Sequence, residues 1–235
     1  MADERKTPEM RAQMTDIERL RHSASHVLAT AILKIWPEAQ FAAGPPVENG
    51  FYYDLELDHH ISPADFERIE AEMKKVVKEN QPFERIAVSR DEALALANEG
   101  RLGALGPRTT PSKFKLDILR GIPEGEEISL YRNGDFTDLC AGPHVMRTGN
   151  IGAFKLTSIA SAYYKGDSNN PQLQRVYGTA WPTRDALKAY LQLLEEAARR
   201  DHRKLGAARG PSAPNRPSLA NARASSRETA IRSNG

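Results

Sequence analysis

The sequence predicts an α+β protein in which helices pack against an antiparallel sheet. Capped helical segments and short strands interleave irregularly, without the regular βαβ repeat that builds parallel sheets. The chain of 235 residues is long enough to bury a substantial core in one or two domains. Its 40% hydrophobic and 27% charged content is that of a soluble globular protein.

The elements follow in order. Residues 1–14 are charged, lack the apolar stretch of a secretory signal, and are expected to form a flexible lead. Thr15 with Glu18 is a capping box. The apolar stripe Ile17, Leu20, Val27, Leu28, Ile32 and Ile35 continues it as a helix over 16–35, stopped at Trp36-Pro37. "GPPVENG" is a loop and "FYYDLEL" (51–57) a strand. Ser62-Pro63 opens a helix that runs to about Asn80. "FERIAVS" (83–89) reads as a strand, and Ser89 with Glu92 caps a short helix ending near Gly100. Residues 101–127 are punctuated by glycine and proline, with "KFKLDIL" (113–119) their one ordered piece. Strands are expected at 128–132, 154–165 and 173–181, followed by a long amphipathic helix over 183–206 ended by glycine. Residues 207–235 are rich in Ser, Pro, Ala and Arg, with almost no bulky apolar residues, and are expected to stay disordered. The division is a lead (1–14), a folded domain (15–182), a linker helix (183–206) and a tail (207–235).

Composition narrows the function. No window approaches 18 consecutive apolar residues, so no membrane span is expected. One cysteine cannot form an internal disulfide, which fits a reducing cytoplasm. The tail carries five arginines against one acid, leaving residues 1–206 at about −2. Any nucleic-acid site in the folded part is therefore a local patch, since net charge would not steer the ligand.

Two motifs carry chemistry. "RHSASHVL" (21–28) sets His22 and His26 four residues apart on a helix, hence on one face, with Ser23 off to the side. "DLCAGPH" (138–144) holds the only cysteine, Cys140, with His144 four residues on. Together they offer a Cys-His₃ set for a tetrahedral ion, or a cluster around a reacting group. The plainer alternative is that some are surface or satisfied core histidines. Lys115 suits a phosphate or a carbonyl, and Asp138 suits a histidine or a water; either also reads as an ordinary surface charge. "YYKGDSNN" (163–170) offers Tyr163, Tyr164, Lys165 and Asn169 to RNA by stacking and phosphate contact, or simply turns a hairpin. His59 and His60 fall in a polar turn, and His202 suits the last turn of its helix through the dipole.

The longer motifs "RHSASHVLATAILKIWP", "GPPVENGFYYDLEL", "DLCAGPH", "AYYKGDSNNPQLQRVYGTAW" and "AYLQLLEEAARRDHRKLG" resemble the editing domain of bacterial threonyl-tRNA synthetase, in order, from about residue 15 to 206. Alanyl-type editing proteins share the paired spacings, but "GDSNNPQLQR" matches the threonyl version. The resemblance implies an antiparallel α+β fold and hydrolysis of serine wrongly esterified to threonine tRNA, with the acceptor end of that tRNA as partner. It places His22, His26, Cys140 and His144 in the pocket, Lys115 on the family's pocket lysine and Asp138 on its pocket aspartate. His22 and His26 would orient or activate water, Lys115 would help stabilise the oxyanion, and Cys140 and Asp138 would hold the seryl group. For the threonyl type it points to no metal cofactor. Zinc, linked with alanyl-type relatives, would take His22, His26, Cys140 and His144.

The match stops at Gly206, and the aminoacylation module has no counterpart in these 235 residues. Ligation of threonine is not expected, and the tail reads as a frameshift, a truncation or an evolved addition. A free-standing editing enzyme, a tRNA-binding module without turnover and an inactive remnant are the three resulting readings. Nothing in the sequence points to an oligomeric state.

Overall fold

The computed structural model describes residues 8–208, with side chains described over 10–200. The first half of the expected lead (1–7), the tail from residue 209 and the side chain of His202 lie outside the described residues. The chain divides into two compact units, one reaching Leu191 and one from Gln192.

The first unit is α+β with antiparallel sheets, as its patterning predicts. A short α1 (Pro8–Ala12) precedes α2 (Asp16–Ile35), whose Thr15–Glu18 capping box closes as expected. β1 (Gln40–Phe41), β2 (Pro46–Val47) and β3 (Gly50–Glu56) follow. The helix expected from Pro63 begins as a 3₁₀ turn and becomes α3 (Phe66–Glu79), ended by Asn80 in the left-handed region (φ 51°). Then come β4 (Glu84–Val88), α4 (Arg90–Asn98), α5 (Lys113–Arg120), β5 (Ile128–Asn133), β6 (Phe136–Leu139), β7 (Ala153–Tyr163), β8 (Gln172–Trp181) and α6 (Arg184–Ala208). The first turns of α6 lie in the first unit, where Tyr190 meets Trp181 with ring centroids 5.0 Å apart.

One sheet runs β1-β3-β8-β7, with β2 paired to β3, and all its pairings are antiparallel. A second runs β4-β5-β6. Strand alternation sends Phe51, Tyr53 and Leu55 to the face covered by α2 and α3, where they join Leu28, Ile32 and Met73 in the main core. Truncating such fully buried side chains to alanine costs about 2–5 kcal/mol each. A smaller core gathers Ala93 and Ala97 of α4, Leu119 of α5, and Ile128 and Leu130 of the second sheet. Phe136 of β6 belongs to the main core, so β6 reaches the centre of the unit and its C-terminal end emerges against α2.

Several elements differ from the sequence expectation. α1 forms within the segment expected as a flexible lead, and the short β1 and β2, the latter inside the expected loop "GPPVENG", form by pairing with β3. Residues 113–119 form a helix, N-capped by Ser112, rather than an isolated ordered piece in a loop. β6 was not expected. It returns from β5 through the two-residue turn Gly134-Asp135, with Gly134 at φ 58° in the first turn position, where a hairpin favours glycine.

Candidate active site

Both histidines of α2 face the loop that follows β6. His22 and His26 stand edge to face, centroids 5.5 Å apart, and His144 closes on them at 4.1 and 4.3 Å. Phe83 stacks on His144 at 4.9 Å and 5°, and Tyr131 meets it edge-on at 4.5 Å. The loop reaches α2 through Gly142 at φ 67°, a conformation that favours glycine. A Cβ there would overlap the ring and hydroxyl of Tyr131.

The four side chains singled out by spacing thus converge. Cys140 Sγ lies 3.4 Å from His22 Nε2 and 3.2 Å from His144 Nε2, and it accepts the Gly142 N–H at 3.3 Å. His22 Nδ1 is 3.1 Å from the carbonyl of Pro143, which can only accept, so Nδ1 carries a proton. Ser23, expected off to the side, is instead buried in the cluster: its oxygen lies 3.1 Å from His144 Nδ1 and accepts the Val145 N–H at 2.9 Å. The reason is that the post-β6 loop folds over the helix and brings its own backbone to that flank.

Burial sets the electrostatics. It holds His26 and His144 well below the usual imidazole range, helped by the neighbouring His22. Burial also pushes the Cys140 thiol up to about 12, with the Asp138 charge adding to it and the Gly142 N–H opposing. At neutral pH Cys140 is therefore a thiol, and His26 and His144 are neutral imidazoles.

Lys115 and Asp138 sit behind it as a buried ion pair, side chains 2% and 1% exposed and 2.8 Å apart. The lysine also donates to Ala42 O at 2.8 Å and to Tyr53 Oη at 3.4 Å, which commits its three protons. Tyr53 donates its own hydroxyl to Asp138, and Asp138 further accepts the Leu139 N–H at 2.8 Å. Burial, then the Asp138 charge, raises the Tyr53 hydroxyl well above the usual phenol range. Neither Lys115 nor Asp138 is the ordinary surface charge that each resembled alone.

The ligand atoms of His22, His26, Cys140 and His144 lie within 4.8 Å of one another. Three imidazoles and a sulfur form a donor set suited to zinc. The donors fit: His22 and His144 each hold Nδ1 against an oxygen, as ligating imidazoles do, and the buried Nδ1 of His26 has no hydrogen-bond partner. A zinc ion held by all four would fill a closed tetrahedral site, whereas one held by three of them would keep a position for a water that it acidifies.

Comparison with known proteins follows the same lines. Residues 128–177, spanning β5 to β8 and including Asp138, Cys140 and His144, match the family described as threonyl and alanyl tRNA synthetase second additional domain. The threonine–tRNA ligase of Acidithiobacillus ferrooxidans is 50% identical over 190 residues, 81% of this chain and 28% of the relative. Those of Clostridioides difficile (50% over 189 residues; 80% and 28%) and Nitrosococcus oceani (50% over 194; 83% and 29%) are similar to the same extent. Over residues 128–177 the chain carries the second additional domain of threonyl and alanyl tRNA synthetases, and these relatives are threonine–tRNA ligases. It spans a little over a quarter of the length of these ligases.

Within this threonyl-type domain the candidate RNA turn is braced from inside. Tyr164 packs on Phe114 and donates its hydroxyl to Asp117 at 2.8 Å, and Lys165 pairs with the same carboxylate at 2.6 Å. Asn169 binds Asp167 at 2.9 Å, while Tyr163 is 44% exposed. Two residues of the domain's site escaped sequence reasoning, Ser23 and Tyr53. Tyr53 had a signal, since alternation on β3 puts a tyrosine hydroxyl in the core, where it requires a partner. Among the described residues, no helix is long and apolar enough to cross a membrane.

Proposed function

We propose that this domain hydrolyses the ester of seryl-tRNA formed on threonine tRNA, acting in the cytoplasm on the acceptor end. The observation that carries the reading is the convergence of His22, His26, Cys140 and His144 in a domain of the threonyl type. Serine lacks one methyl of threonine, and a missing methylene alters binding by only ~1–3 kcal/mol, so a synthetic pocket that accepts threonine admits serine. A second pocket that clashes with the extra methyl removes the error.

The chemistry required is addition of water to the ester carbonyl and departure of the ribose oxygen. A water held by the imidazoles of His22 and His26 forms the new C–O bond to the carbonyl carbon, while the bond from that carbon to the ribose oxygen breaks. Its proton passes to the departing ribose oxygen, with the neighbouring ribose hydroxyl as carrier. Cys140 is not the nucleophile, because a thiol held near 12 supplies almost no thiolate at neutral pH. It shapes the wall that contacts the seryl group. Lys115 and Asp138 fix Tyr53 and the end of β6 from behind, and with them the start of the Cys140–His144 loop. This route uses the chain's own groups, and elemental analysis of the purified protein decides whether zinc accompanies them.

The test is turnover of seryl-tRNA by the wild-type protein and by His22→Ala. The reading expects hydrolysis by the first and loss of at least 100-fold in the second, at unchanged circular dichroism, as for a positioned acid–base group (about 10²–10⁴). Full turnover by His22→Ala would reject the assignment.

A further inference from the structure

Ser23 stands between His22 and His26 on α2, wholly buried, at a branch point of hydrogen bonds that the hydrolysis above leaves unused. Its oxygen is 2.8 Å from Arg19 O, 2.9 Å from Val145 N and 3.1 Å from His144 Nδ1. A serine hydroxyl has one proton and two lone pairs. The Arg19 carbonyl can only accept, so it takes the proton. The Val145 N–H can only donate, so it occupies one lone pair. What remains for His144 Nδ1 is the second lone pair, and Nδ1 must therefore carry a proton. With the single proton of a neutral imidazole on Nδ1, His144 has its lone pair on Nε2, 3.2 Å from Cys140 Sγ. From His144 onward donation runs in one direction, from imidazole to hydroxyl to helix carbonyl.

We propose that Ser23 is a positioning residue that holds His144 in the Nδ1–H tautomer and so keeps Nε2 as an acceptor facing the pocket. Without the Ser23 oxygen a buried N–H would lose its acceptor. The other tautomer avoids that loss by moving the proton to Nε2, where it would point a donor at the sulfur. The hydrogen-bond polarity of that wall would reverse. The tautomer assignment stands on donor and acceptor counting alone, whereas its kinetic consequence rests on the reading of the site as a hydrolase.

The experiment is long-range ¹H–¹⁵N correlation of the imidazoles in ¹⁵N-histidine-labelled protein, with His144 identified by its absence from His144→Gln. Wild type is expected to show Nδ1–H at His144. Ser23→Ala is expected to shift it to Nε2–H, and Ser23→Thr, which keeps the oxygen, to restore Nδ1–H. For seryl-tRNA, kcat of Ser23→Ala should fall ~10–100-fold with KM little changed. An Nε2–H tautomer in wild type would overturn the proposal. So would an unchanged tautomer in Ser23→Ala, because loss of the Val145 contact alone would loosen the loop without moving that proton. If wild type fails to hydrolyse seryl-tRNA while the tautomer still shifts in Ser23→Ala, the hydrolase reading falls and the role of Ser23 stands.

Discussion

Lys115 Nζ lies 2.8 Å from Asp138 Oδ1 with both side chains shut off from solvent, a full charge pair beneath the histidine cluster. The pair joins α5, which carries Lys115, to β6, which carries Asp138, and through Tyr53 it also touches the main sheet. Such a pair adds little net stability over an apolar replacement, but removing one partner strands the other charge.

Lys115→Met should therefore cost about 3–5 kcal/mol in unfolding free energy, and the double variant Lys115→Met/Asp138→Leu should cost much less than twice that. Urea unfolding of both variants checks this. A Lys115→Met variant within 1 kcal/mol of wild type, on the order of a surface substitution, would show that the pair is not buried as described.

Acid should weaken the fold through His26 and His144. Burial holds both well below the ordinary imidazole value of about 6.5 in the folded state, so just below that value the unfolded chain binds more protons than the native one. Stability is then fully present above about pH 6.5 and falls as pH drops below it, by about 1.4 kcal/mol per pH unit for each histidine. Unfolding at pH 7.5 and 5.5 measures the slope, and His144→Gln should reduce it. A slope unchanged by that substitution would contradict the burial account.

The Cys140 thiol should resist alkylation. Held at about 12 rather than near 8.5, it supplies roughly a thousandfold less thiolate at pH 8 than an ordinary cysteine. Iodoacetamide labelling of the native protein should be slower by about that factor than labelling in urea. Equal rates would mean an activated thiol, and would reopen Cys140 as a nucleophile.

Gly142→Ala should disturb the site more than the fold's bulk. The residue sits at φ 67°, and the added carbon meets Tyr131, which also contacts His144. A stability loss of about 1–2 kcal/mol from the left-handed backbone, with a larger fractional loss of seryl-tRNA turnover, is expected. Thermal unfolding and deacylation on one preparation separate the two effects.

Much of this was legible in the residues. The Thr15–Glu18 box and the apolar stripe fixed α2 to the residue, and the equal spacing of His22–His26 and Cys140–His144 marked four side chains that do meet. What escaped was set by tertiary contacts. β6 has only four residues, too few for alternation to register, and its hairpin signal lies in the Gly134-Asp135 turn. Ser23 enters the cluster only because a loop more than a hundred residues away folds over α2, which no local pattern encodes. The same holds for Lys115, whose partners Ala42, Tyr53 and Asp138 come from three separate segments.

The most direct test is the ratio of hydrolysis rates for seryl-tRNA and threonyl-tRNA, both on threonine tRNA, with the purified chain. The account predicts rapid loss of serine with threonine spared by at least the ~10–200-fold that one excluded methyl supplies. Equal hydrolysis of both, or of neither by the folded protein, would contradict it.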